Sequence, residues 1–169
     1  MTSMLSRRAP APSIDIQVQS PLWDVQPLAA QTVRDAIAAA AAALATPDGE
    51  VSIVLSDDAS IQKLNRDWRG IDKPTNVLSF PAAKPAARGP LPLLGDVIVA
   101  YETLAREAAE EAKPFLHHLA HIAVHGYLHL LGYDHQTDSE AGAMEKLERD
   151  ILGRLRIADP YRGYAPGDS

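Results

Sequence analysis

The chain has 169 residues, 46% of them apolar and 22% charged, which suits one compact globular domain and leaves no room for two ordinary ones. A formal net charge of −6 argues against a general nucleic-acid coat protein, and the absence of cysteine excludes disulfides and thiolate metal sites. Any metal would be held by His, Asp or Glu.

No run approaches the roughly 18 to 20 apolar residues needed to cross a bilayer. Residues 1–12 carry Arg7 and Arg8, then Pro10 and Pro12 in place of an apolar signal core, so they read as a disordered leader on a cytoplasmic protein. Residues 13–19 alternate Ile14, Ile16 and Val18 with polar neighbours, the period of a half-buried strand. An alanine-rich helix opens at Pro27 and runs to about Leu44, and Thr46-Pro47-Asp48-Gly49 makes a turn. Residues 50–56, rich in Val and Ile, form a second strand. Asp57 or Asp58 can cap the short helix that follows and ends near Trp68.

After a polar stretch, Val77, Leu78 and Phe80 suggest a brief strand closed by Pro81. Residues 82–92 carry three prolines and a glycine and read as a mobile loop. A strand at 93–101 and a helix at 103–112 follow. The principal helix spans 114–131, with Pro114 in its first turn, and is apolar nearly all round, which places it in the core. Thr137-Asp138-Ser139-Glu140 has the capping-box pattern and starts a last helix reaching about Leu155. This order predicts a single α/β (α+β) domain over 13–160, with a small mixed sheet of about four strands, a buried central helix and a flexible tail at 161–169.

Charge is unevenly spread. Between Gln62 and Gly95, Lys63, Arg66, Arg69, Lys73, Lys84 and Arg88 face only Asp67 and Asp72, so that segment is +4 and the remainder −10. Such a segment is either a solvated surface or a local phosphate-facing patch on an acidic protein.

The densest chemistry lies in the run His125-Gly126-Tyr127-Leu128-His129-Leu130-Leu131-Gly132-Tyr133-Asp134-His135. At about 100° per residue, His118, His121, His125 and His129 fall within an arc of roughly 80° on the principal helix. His125 and His129, one turn apart, can present two nitrogens to one ion. A continuing helix would carry His135 about 9 Å past His129. Gly132 resolves this, because a glycine there can take the left-handed conformation that ends a helix and folds 133–135 back over its last turn. His125, His129 and His135 are therefore the expected metal ligands. Three protein donors leave a position open for water, the mark of a hydrolytic rather than a structural site. His118 and His121 are read as packing, hydrogen-bonding or pocket-wall residues, and His117 points off this face.

The same histidine spacing occurs in metzincin proteases, whose general base is a glutamate directly after the first histidine. Gly126 stands there, so a peptide hydrolase is the weaker reading. The run instead closely resembles that of the YbeY family of metal-dependent endoribonucleases of rRNA maturation. Leu64-Asn65, Trp68-Arg69-Gly70-Ile71-Asp72-Lys73-Pro74-Thr75-Asn76-Val77-Leu78-Ser79-Phe80-Pro81 and Leu94-Gly95-Asp96 look like further blocks of that family, with Trp68 and Ile71 standing where Tyr and Lys are frequent. The resemblance covers about Val51 to Tyr161.

It implies a single-strand-specific endoribonuclease that matures the 3′ end of small-subunit rRNA and serves ribosome quality control. One Zn2+ or another divalent transition metal would be the cofactor. The implied partners are the rRNA precursor and the ribosome, with ribosomal or GTPase proteins, and neither membrane nor DNA. A zinc-type ion lowers the pKa of bound water towards about 7, which makes Gly126 tolerable, and the missing side chain leaves room for a nucleotide against the helix. Arg69 is the expected catalytic residue, since its planar fork matches phosphate geometry. Asp134 can orient an imidazole or cap the last turn, Thr75, Asn76 and Ser79 can line the cleft or serve turns, and Asp96 reads as structural. A metallohydrolase of another substrate, or a ribosome-associated binding module with a structural metal, remain the alternatives.

Overall fold

The alternating Ile14 and Ile16 stretch forms β1 (Ser13–Val18), which runs parallel to β2 (Glu50–Ser56). β2 in turn runs parallel to β4 (Leu93–Ala100), and β3 (Val77–Pro81) pairs antiparallel with β4 on its far side, giving the sheet order β1-β2-β4-β3. The structure is a computed structural model and describes residues 12–45, 49–82, 93–134 and 136–161. The predicted leader but for the buried Pro12, residues 46–48 of the turn, the 83–92 part of the predicted loop and the predicted tail but for Tyr161 lie outside the described residues.

Strand side chains divide between two faces. Val51, Ile53, Leu55, Val97 and Val99 point into the larger core with α1 (Ala29–Leu44), α4 (Phe115–Leu130) and α5 (Asp138–Arg154). Leu78, Ile98 and Ala100 point the other way, onto Ile61 of α2 (Asp58–Arg69). The period of two thus sorts β4 into Val97 and Val99 on one face and Ile98 and Ala100 on the other. Ten of the sixteen residues of α4 are buried, as an all-round apolar helix requires. The four-stranded mixed sheet, the buried central helix and the single α/β domain agree with the expectation from the sequence.

Local chemistry sets the helix ends. Asp57 caps α2 by accepting from the Ser60 amide at 2.9 Å. Asp58 is used elsewhere: its carboxylate accepts from the Thr103 amide at 3.1 Å and hydroxyl at 2.7 Å, while Glu102 accepts from the Asp58 amide at 2.8 Å. This reciprocal cap lets α3 (Tyr101–Glu110) start straight out of β4, two residues before the expected start. Thr137 caps α5, accepting from Glu140 at 3.1 Å. A short 3-10 turn at Pro21–Val25 was not foreseen; it buries Trp23, whose indole N–H donates to the Ser56 carbonyl at 2.8 Å.

Candidate active site

The end of α4 is built as its glycine suggests. Gly132 has φ +98, its amide donates to the His129 carbonyl and the Tyr133 amide to the Leu128 carbonyl, both at 3.1 Å. These two bonds are the Schellman pattern, which closes the last turn and reverses the chain. Asp134 and Gln136, on either side of His135, consequently line the same cleft as His125 and His129.

His125 and His129 come together edge to face, with their Nε2 atoms 3.1 Å apart. Two nitrogens each about 2.0 to 2.1 Å from one tetrahedral ion stand roughly 3.3 Å from each other. The pair therefore has the donor type and the spacing to share an ion. His135, the third expected donor, lies outside the described residues, and among the described residues no three His, Asp or Glu side chains are grouped to hold a metal.

The cleft, about 660 Å³, runs between α4 and the edge strand β3. Arg69 from the end of α2 lines it, as do Thr75, Asn76 and Ser79. Arg69 is exposed, so the expected catalytic arginine and two of the three expected ligands open onto one space. Lys63, Arg66 and Lys73 are also exposed but do not line the cleft, while Lys84 and Arg88 lie outside the described residues. Ser79 does more than line the wall, since its hydroxyl donates to the Gly126 carbonyl at 2.9 Å.

Gly126 itself does not face the cleft with space to spare. It is buried, and a Cβ added there would lie 2.8 Å from Val97 Cγ1 and 3.3 Å from Ser79 Oγ and Val77 Cγ2. The expectation that this glycine leaves room for a nucleotide is corrected: the missing side chain lets α4 sit directly on β3 and β4. A glutamate at this position would run into the sheet, so the base of the protease-type reading has no place here.

Behind the histidines lies a polar layer that the sequence reading passed over. Glu148 of α5 is 1% exposed, and its Oε1 accepts from His125 Nδ1 at 2.8 Å and from His121 Nε2 at 3.1 Å. The Tyr161 hydroxyl donates to Oε2 at 2.8 Å. Burial pushes the Glu148 carboxyl up, but the hydrogen bonds and charge of the two imidazoles outweigh it and bring it down to about 2. Burial and the neighbouring Glu148 charge push the Tyr161 phenol well above its ordinary value. His118 Nε2 donates to Glu107 at 2.9 Å, and Asn76 donates to the same carboxylate at 3.0 Å. His118 and His121 are thus hydrogen-bonding residues packed behind the site, one of the readings open to them. The available signal was an acid, Glu148, on the buried stripe of Met144, Ile151 and Leu152.

A family model described as Endoribonuclease YbeY matches residues 16–156. The chain belongs to that family. A YbeY relative from Rhodopseudomonas palustris, named Endoribonuclease YbeY, is 54% identical over 155 residues, spanning 89% of this chain and 90% of the relative. One of the same name from Nitrobacter hamburgensis is 52% identical over 157 residues, spanning 89% of this chain and 82% of its own length. A Thermotoga maritima protein solved in solution aligns at 25% identity and a TM-score of 0.45, over 92% of this chain and 99% of that one. The YbeY match takes in Arg69, both paired histidines and Glu148, while Tyr161 falls just beyond it. No helix among the described residues is long and apolar enough to cross a membrane.

Proposed function

We propose that this chain is a metal-dependent endoribonuclease that cleaves single-stranded ribosomal RNA precursors in the cytoplasm, in late maturation of the small subunit and its quality control. His125, His129 and His135 hold one divalent ion, zinc in the first instance, and Arg69 faces the scissile phosphate. The observation that carries this reading is the 3.1 Å approach of the two Nε2 atoms at the floor of a cleft that Arg69 lines, in a member of the YbeY family.

The donor set suits the ion. Nitrogen ligands without thiolate fit zinc, and nickel, cobalt or iron would accept the same set. When bound, such an ion supplies a water of lowered pKa at neutral pH. The chain's own residues supply the rest. Arg69 reaches the cleft without entering any ion pair among the described residues, so its guanidinium can meet a phosphate in bidentate fashion as negative charge grows on the non-bridging oxygens. Thr75 adds a hydroxyl to the same wall, and Asn76 turns its amide to Glu107 while its edge borders the cleft. Gly126 and Ser79 hold β3 against α4, which fixes the width of the floor.

A chain of net charge −6 binds long RNA weakly by charge alone, which favours delivery of the substrate on the ribosome, with ribosomal or GTPase proteins as contacts. The test uses purified protein, stripped of metal and reloaded with zinc, on labelled rRNA precursor and on casein, with His129→Ala purified in parallel. The expected result is that RNA is cut, casein is not, and the variant cuts neither. Equal RNA cleavage by the variant would sink the proposal.

A further inference from the structure

Glu148 sits where a carboxylate decides which nitrogen of His125 carries the proton. Its side chain is buried between α5 and α4, and one oxygen, Oε1, receives both His125 Nδ1 at 2.8 Å and His121 Nε2 at 3.1 Å. The other, Oε2, receives the Tyr161 hydroxyl at 2.8 Å. An ionised carboxylate can only accept hydrogen bonds, so each of these three partners must donate. A neutral imidazole carries one proton. With that proton on Nδ1 of His125, Nε2 is the unprotonated nitrogen, and Nε2 is the atom that approaches His129.

We propose that Glu148 is the positioning residue of His125, fixing its Nδ1–H tautomer and its ring angle so that Nε2 is presented to a divalent cation, with Tyr161 anchoring the carboxylate from the far side. This rests on the reading of His125 as a metal donor. The arrangement differs from a simple fold contact. A carboxylate that only tied α5 to α4 could do so through His121 and Tyr161. A third bond, at 2.8 Å as short as that from Tyr161, instead comes from His125, the histidine that lines the cleft and whose other nitrogen meets His129. The share of the carboxylate taken by His121 keeps it from rotating away from His125, and Tyr161 prevents rotation in the other sense. Carboxylates that orient metal-bound imidazoles typically change affinity by about ten- to a hundred-fold when removed.

The deciding experiment compares the unmodified protein with Glu148→Gln, both stripped of metal. Nitrogen–proton correlation spectra of the histidine side chains read the tautomer of His125, and competition with a chromophoric chelator reads zinc affinity. The expected result is a single Nδ1–H tautomer in the unmodified protein, a mixture or the opposite tautomer in the variant, and zinc affinity lower by about ten- to a hundred-fold. Unchanged tautomer and unchanged zinc affinity in a folded variant would overturn the proposal. Should the variant not fold, the unmodified protein still decides, because a proton on Nε2 of His125 is incompatible with this role. Zinc uptake that is absent from the unmodified protein would bring down the metal reading itself, while the tautomer continues to judge the link between Glu148 and His125.

Discussion

The Nε2 atoms of His125 and His129 lie 3.1 Å apart, within a few tenths of an ångström of the roughly 3.3 Å that two donors of one tetrahedral ion adopt. Helical spacing alone brings residues four apart onto one face. It does not turn both rings so that the same nitrogens meet. Zinc at about a hundred times its Kd should stabilise the protein by about 2.7 kcal/mol, a rise of roughly 5 to 10 °C in melting temperature for a domain of this size. His129→Ala should abolish that rise and leave the melt of the metal-free protein nearly in place, because His129 is only half-buried. Melting curves with and without zinc, beside elemental analysis, check both statements.

Gly126→Ala tests how tightly α4 rests on the sheet. Alanine gains about 1 kcal/mol of helix propensity over glycine. Against this, its Cβ would lie 2.8 Å from Val97 Cγ1, in a side chain that is fully buried and short, and 3.3 Å from the Ser79 oxygen that bonds the Gly126 carbonyl. Overpacking of this kind costs about 1 to 3 kcal/mol. The net effect should be destabilising by about 1 kcal/mol, read as a lower urea midpoint. A more stable variant would show that the contact relaxes freely.

Much of this architecture was legible because local rules and the global fold agree. The strand periods of Ile14 and Ile16, the two caps at Asp57 and Thr137 and the stop at Gly132 each act within a few residues, so each could be read from the chain. Asp58 could not be assigned, since its partners Thr103 and Arg106 lie more than forty residues away. Glu148 and Tyr161 escaped for the same reason: what gives them a function is the crossing of α5 over α4, which no local pattern encodes. Gly126 was misread because a missing side chain looks the same in sequence whether it opens a cavity or admits a strand. Here Val97 and Val77 fill the space.

Glu107 gives the fold a pH dependence of known sign. Burial raises its pKa, but hydrogen bonds from His118 and Asn76 and the charges of His118 and Arg106 lower it further, to a net value below 4.5. A carboxylate depressed in the folded state contributes stability that is fully present above its unfolded value and lost as pH falls through the folded one. The unfolding midpoint of the metal-free protein should therefore decline below pH 4.5. Glu107→Gln should be less stable at neutral pH and show a shallower acid decline. Parallel curves for the two proteins would mean that the His118 and Asn76 bonds do not favour the ionised form.

Arg69 is the residue at which stability and activity should separate most clearly. It is exposed, is the last residue of α2, directly before the left-handed cap at Gly70, and takes no part in the ion pairs among the described residues. Its removal costs the fold little; Arg69→Ala should shift the unfolding free energy by less than about 0.5 kcal/mol. The side chain nonetheless lines the cleft that His125 and His129 open onto. A preorganised donor aimed at growing charge is worth about a hundred- to a thousand-fold in rate, so RNA cleavage by Arg69→Ala should fall by at least about a hundred-fold with zinc content unchanged. Arg69→Lys keeps the charge but loses the planar fork, and should recover only part of the rate. Single-turnover cleavage of a labelled rRNA fragment, beside zinc analysis of each variant, measures this. If Arg69→Ala kept the unmodified rate, the arginine would be a surface residue that merely borders the cleft.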